Sequence, residues 1–185
     1  DPLIKLINDT GLSLQSVERY LWAKHATERN NRIASIRPGV NDGAGMTNDE
    51  AEAIIASFTP EQLRKLEAVS RKVQDVRKFT LQTMVQSGQI DQESMDRMLK
   101  AYSDYVPLRG KDGDGDERIG QTRGTGQGIS AGGTGIVRAM GRKTAPKNIL
   151  AELVGDAERS IVQANKAEVG RALLRMALSY PNPEI

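Results

Sequence analysis

The chain has 185 residues, no cysteine, 38% hydrophobic and 4% aromatic residues, and a formal net charge of +2. These values exclude disulfides and thiolate metal sites, and the charge is too small to imply nucleic acid by itself. With so few rings the core must come from Leu, Ile, Val, Met and Ala, which suits helices packed on helices; no run approaches the ~18 apolar residues of a membrane span.

The chain opens Asp1-Pro2 without Met and carries no signal-peptide pattern, so it reads as a piece of a larger protein. Its length predicts one module over 1–185. The first predicted helix covers about 13–36, where Leu14, Val17 and Leu21 share a face and Gly11 and Ser13 supply the start. Pro38, Gly39, Asn41, Asp42, Gly43 and Gly45 then mark a loop. Thr47 and Glu50 form a capping box for a short helix over 48–57. Thr59 and Gln62 form a second box, with Pro60 in the first turn and Phe58 and Leu63 as a hydrophobic staple. The stripe Leu63, Leu66, Val69, Val73, Val76, Thr80 and Met84 extends that helix over 60–87, and Gly88 stops it.

Asp91 caps a fourth helix, expected over 92–106 with Met95, Met98, Leu99, Tyr102 and Val106 on one face and Pro107 as its stop. A Gly-rich loop follows over 109–143, a length at which a connection is usually functional or disordered. The last helix is expected over 146–179, its apolar side marked by Ile149, Leu150, Leu153, Val154, Ala157, Ile161, Val169, Leu173 and Met176. Asn165 interrupts that side and is expected to hydrogen-bond across the bundle. The fold class is therefore all-α, a helical bundle of about five helices with one long Gly-rich loop before the last.

Three motifs in the loop fail on chemistry or context. Asp112, Asp114 and Asp116 open like a calcium loop, but Glu117 and Arg123 stand where Gly and Glu are needed. Gly126-Gln-Gly128 lacks the strand and helix of a dinucleotide site. Gly141-Arg-Lys-Thr144 lacks the glycines of a phosphate loop. The single histidine, His25, continues the apolar stripe of the first helix, with Glu28, Arg29, Asn30 and Arg32 around it. That cluster reads either as a recognition or proton-carrying site or as a buried polar network that orients the helix; no Ser, Cys or second His completes a nucleophile or ligand set, which favours the network. Arg138, Arg142 and Lys143, just before the last helix, form either an anion site or a solvated basic linker.

Several phrases together resemble a known family. Tyr20-Leu-Trp-Ala-Lys-His25-Ala-Thr-Glu-Arg-Asn30, Gly45-Met-Thr-Asn-Asp-Glu-Ala51 and Tyr102-Ser-Asp-Tyr-Val-Pro-Leu-Arg-Gly110 are similar to a helical region of very large phage and mobile-element proteins. These are the polyvalent proteins, some carrying a PLxRFG domain. Ala139-Met-Gly-Arg142, Ala164-Asn-Lys-Ala-Glu-Val169 and Pro181-Asn-Pro183 continue the likeness from roughly Ser13 onward, although Pro107-Leu-Arg-Gly110 lacks the Arg-Phe-Gly ending. The resemblance implies a module of a giant chain, packaged in the virion and delivered to the host cytoplasm with the DNA. It assigns no chemistry to this module.

The expectation is thus a non-enzymatic structural or interaction module without a cofactor. Its partners would be other domains of the same chain or other virion proteins. Its binding residues would be His25, Arg29, Asn30, Arg109, Arg138, Arg142 and Lys143, with Tyr20, His25, Arg29 and Asn30 anchoring the excursion that begins at Tyr105. The alternative is a nucleic-acid-binding accessory module using Arg118, Arg123, Arg138, Arg142 and Lys143. An enzymatic reading would rest on His25 and Glu28 as acid and base, with partners from elsewhere in the parent chain.

Overall fold

The computed structural model describes residues 2–109, 145–146 and 148–180. The Asp triplet, the Gly-x-Gly run, the phosphate-loop-like run and the basic residues Arg118, Arg123, Arg138, Arg142 and Lys143 lie outside the described residues. Those described form six helices and no strand: α1 (Pro2–Asp9), α2 (Leu14–Ile36), α3 (Asn48–Ala56), α4 (Pro60–Gln86), α5 (Gln92–Ala101) and α6 (Ile149–Ser179). The all-α expectation holds, with one helix more than the sequence predicted.

The additional helix is α1. Pro2 occupies its first turn, and Leu3, Leu6 and Ile7 recur at helical spacing. An eight-residue helix is marginal alone. Burying Leu3 fully and Leu6 and Ile7 partly against α4 supplies what propensity does not, at ~1.5–3 kcal/mol for each fully buried aliphatic side chain. Thr10 ends the helix: its hydroxyl donates to Ile7 O at 2.6 Å and accepts from Leu12 N at 3.0 Å, and Gly11 takes a φ of +69° that a β-carbon would disfavour.

The predicted caps form as expected. Ser13 accepts from Ser16 N, Asp91 from Ser94 N, and Thr47–Glu50 and Thr59–Gln62 form reciprocal boxes. Gly88, at φ +77°, turns the chain after α4 so that Gln89 N reaches Met84 O at 2.8 Å.

α4 is the hub. It packs on α1, α2, α5 and α6, while α2 holds α3. Val17, Leu21, Leu66, Val69 and Val73 line the main core, and Ile149, Leu150 and Leu153 of α6 close it. A second, smaller cluster of Leu81, Met84 and Met95 joins the far end of α4 to α5, with Ile90 packed against it as the staple required.

Two ends differ from expectation. α5 stops at Ala101, not 106. Residues 102–109 leave the helix and run across the bundle as a strap whose Val106, Pro107 and Leu108 are buried. Pro107 disfavours helical geometry only at its predecessor; the earlier exit comes from tertiary partners described below. α6 starts at Ile149, three residues later than expected, because Asn148 sits in left-handed geometry at φ 48°. There Glu18 of α2 accepts from Leu150 N at 3.0 Å, satisfying an amide at the N-terminus of α6 from another helix.

Candidate functional site

The clearest polar site surrounds His25. The apolar stripe Val17–Leu21 turns inward along α2 and carries His25 with it, leaving its ring 0% exposed. Tyr102 and Tyr105 of the strap meet the ring edge-on at centroid distances of 5.1 and 5.4 Å. Arg77 of α4 lies 4.7 Å above the Tyr105 ring. Neither imidazole nitrogen has a hydrogen-bond partner, and Nδ1 stands 3.6 Å from Glu28 Oε2, too far for a hydrogen bond. Burial therefore dominates over the nearby carboxylate and pushes the His25 pKa down, with Arg29 and Arg77 adding to the shift. The histidine is a neutral ring packed among rings.

Glu28 serves the strap instead. It accepts from Ser103 N at 2.8 Å, Ser103 Oγ at 2.5 Å and Asp104 N at 3.1 Å. Burial opposes its charge, but the Ser103 hydroxyl and the amides of Ser103 and Asp104 outweigh that and bring its pKa down to about 2. Arg77 holds the other polarity of the strap: Nη1 donates to Tyr102 O and Nη2 to Met98 O, each at 2.5 Å. Gln74 donates to Tyr105 O at 2.9 Å. The backbone groups released when α5 ends at Ala101 thus find side chains of α2 and α4, which explains the early exit. Lys24 ties the same region together through Glu67 at 2.7 Å and Asp104 at 3.0 Å. Burial alone would lower its pKa; bonds to the two carboxylates reverse this and raise it.

The expected site residues divide among three places. His25 and Arg29 are buried one turn apart on α2. Arg29 Nε donates to Gly43 O at 3.5 Å. Asn30 clamps the α2–α3 loop: its amide donates to Met46 O at 2.9 Å and to Asn48 Oδ1 at 2.8 Å, and its carbonyl accepts from Ala44 N at 2.7 Å. Trp22 adds a bond to Ala44 O at 2.8 Å. Gly43 is packed so closely on Ile33 that a β-carbon there would lie 2.6 Å from Ile33 Cβ.

Arg109, at the end of the strap, sits against α6, bridging Glu152 at 2.5 Å and Asp156 at 2.6 Å. Arg138, Arg142 and Lys143 lie outside the described residues. Of the excursion only residues 105–109 are described, so the expected common anchor falls mostly outside the described residues. Among the described residues Tyr20 donates to Glu67 of α4 at 2.6 Å, Asn30 holds the α2–α3 loop, and His25 touches the excursion's start at Tyr105. Asn165, expected to bond across the bundle, is exposed on α6 and makes no such bond among the described residues.

Sequence reasoning missed Arg77 and Gln74, and it placed Tyr102 on the apolar face of a longer α5 rather than beside Tyr105 in an extended strap. One signal was available for Arg77. It follows Val73 by four residues, inside the core stripe of α4, where a charge requires partners. Among the described residues no group of three or more carboxylate, histidine or cysteine side chains is arranged to hold a metal ion, and no helix is long and apolar enough to cross a membrane. Comparison with protein-family models, curated proteins and solved structures gave no match.

Proposed function

We propose that this chain is a structural and interaction module of a large phage or mobile-element protein, carried in the virion and delivered with its DNA. The observation that carries the structural part is where the buried and half-buried polar groups go. Glu28, Arg77 and Gln74 fasten the strap, Asn30 fastens the α2–α3 loop, and Arg109 fastens the strap to α6. Each joins segments distant in sequence, and together they stiffen the bundle. The resemblance of the Tyr20–Asn30, Gly45–Ala51 and Tyr102–Gly110 phrases to polyvalent proteins supports the phage part.

Two measurements test the reading. Mass spectrometry of purified virions of the encoding element is expected to find peptides of this chain; their consistent absence from virions rich in other internal proteins would remove the delivery role. Fluorescence anisotropy with short single- and double-stranded DNA at low salt is expected to show no binding. Salt-sensitive binding lost on replacing Arg138, Arg142 and Lys143 by Ala would replace the module reading with the nucleic-acid one.

A further inference from the structure

α6 has apolar side chains on two sides. At about 100° per residue, buried Ile149, Leu153 and Ser160 fall on the side facing the bundle. Val154, Val162, Val169, Leu173, Met176 and Tyr180 fall opposite, within an arc of about 100°. Among the described residues nothing covers this outer strip: Val162 is 51% exposed, Val169 54% and Met176 61%. A helix apolar all round is normally covered all round, and a contiguous exposed apolar strip marks an interaction surface.

Glu158 interrupts the strip and Lys166 stands at its edge, and the two charges identify the occupant. Glu158 and Lys166 each lie four residues from Val162, on opposite sides of it. Both are exposed, and among the described residues neither has an ion-pair partner. Lys166 also edges a shallow groove with Val162, Asn165 and Val169. An antiparallel pairing of two α6 helices centred on Val162 sets each Glu158 against Lys166 of the partner subunit, twice by symmetry. A parallel, in-register pairing sets like charge on like. A partner of different sequence has no need for two opposite charges placed symmetrically about one valine.

We propose that the outer face of α6 is a self-association surface. A second copy of this chain docks there antiparallel, making a two-fold dimer across residues 151–173, an overlap of ~33 Å at the helical rise. The partner's apolar strip covers Val162 and Val169, and the two ion pairs fix direction and register. The inference goes beyond the module reading and does not depend on the phage assignment.

The test is sedimentation equilibrium over a concentration series. The weight-average mass is expected to rise from 20.2 kDa toward twice that value. Val169→Asp is expected to leave a monomer. Lys166→Glu is expected to weaken the dimer by at least ~10-fold, because it creates two like-charge contacts, and the double variant Glu158→Lys/Lys166→Glu to restore it. All three sites are exposed, so circular dichroism is expected to show each variant folded as the parent. A mass fixed at 20.2 kDa throughout overturns self-association and assigns the face to a different partner. A dimer indifferent to Val169→Asp places the interface elsewhere and overturns it too. A double variant no stronger than Lys166→Glu alone overturns the antiparallel register.

Discussion

His25 shows how one residue combines opposing terms. Its ring packs on Tyr102 and Tyr105, and truncating a packed ring to Ala costs ~3–5 kcal/mol. Its two nitrogens are buried without partners, and each such group is unfavourable by ~1–3 kcal/mol. Removing the ring therefore loses packing and relieves desolvation together. His25→Ala is expected to destabilise by ~2 kcal/mol, and His25→Leu, which fills most of the volume without polar atoms, by less. Urea denaturation of both variants at neutral pH checks this. If the Leu variant is the weaker of the two, the ring has polar partners that the geometry does not show.

At the scale of elements, the strap of residues 102–109 depends on side chains rather than on helix or sheet ladders. Arg77 caps two carbonyls at the end of α5 with one planar group, Met98 O and Tyr102 O. A lysine presents a point charge and reaches one of them at a time. Arg77→Lys is expected to cost ~1–3 kcal/mol, the penalty of one buried carbonyl left unpaired. It is also expected to speed hydrogen exchange at Ser103 and Asp104 while leaving Leu21 and Val69 in the core protected. Uniform loss of protection would mean that the strap is no separate unit of stability. The same strap marks where the sequence stopped being legible. The boxes at Thr47 and Thr59 and the cap at Asp91 could be read because each spans three residues. Pro107 is an equally local signal, but it stands six residues beyond the actual end of α5, which is set by Arg77 and Glu28 across 25 and 75 residues of sequence. α6 misled for another reason: Val154 and Met176 were grouped with Leu153 because a single apolar face was assumed, where the helix has two. Of the candidate site, Arg29 and Asn30 were legible as polar residues close to an apolar stripe, whereas what each would touch was not.

Across the whole molecule, these buried and paired groups link folding to pH. Glu28 has an ordinary pKa of 4.5 and about 2 when folded. Its stabilisation is present above 4.5 and is lost as pH falls from there through about 2. Glu67, held down by Lys24 and Tyr20 against burial, acts in the same direction. For His25 the folded value lies below the ordinary 6.5, so the unfolded chain binds its proton first. Stability then falls as pH drops through 6.5 toward the folded value, ahead of the carboxylate loss. On the alkaline side Lys24 is raised from 10.5, and burial raises Tyr20, Tyr102 and Tyr105 above 10.0. The unfolded chain releases those protons first, so stability falls as pH rises beyond 10. Urea midpoints across pH are expected to show a plateau between 6.5 and 10.0, a first acid decline beginning near 6.5 and a steeper one below 4.5. His25→Leu is expected to remove the first decline and leave the second. A first decline that survives His25→Leu would assign it to a group other than the one histidine. A decline abolished at both steps would mean that Glu28 draws its charge stabilisation from His25 rather than from the amides of Ser103 and Asp104.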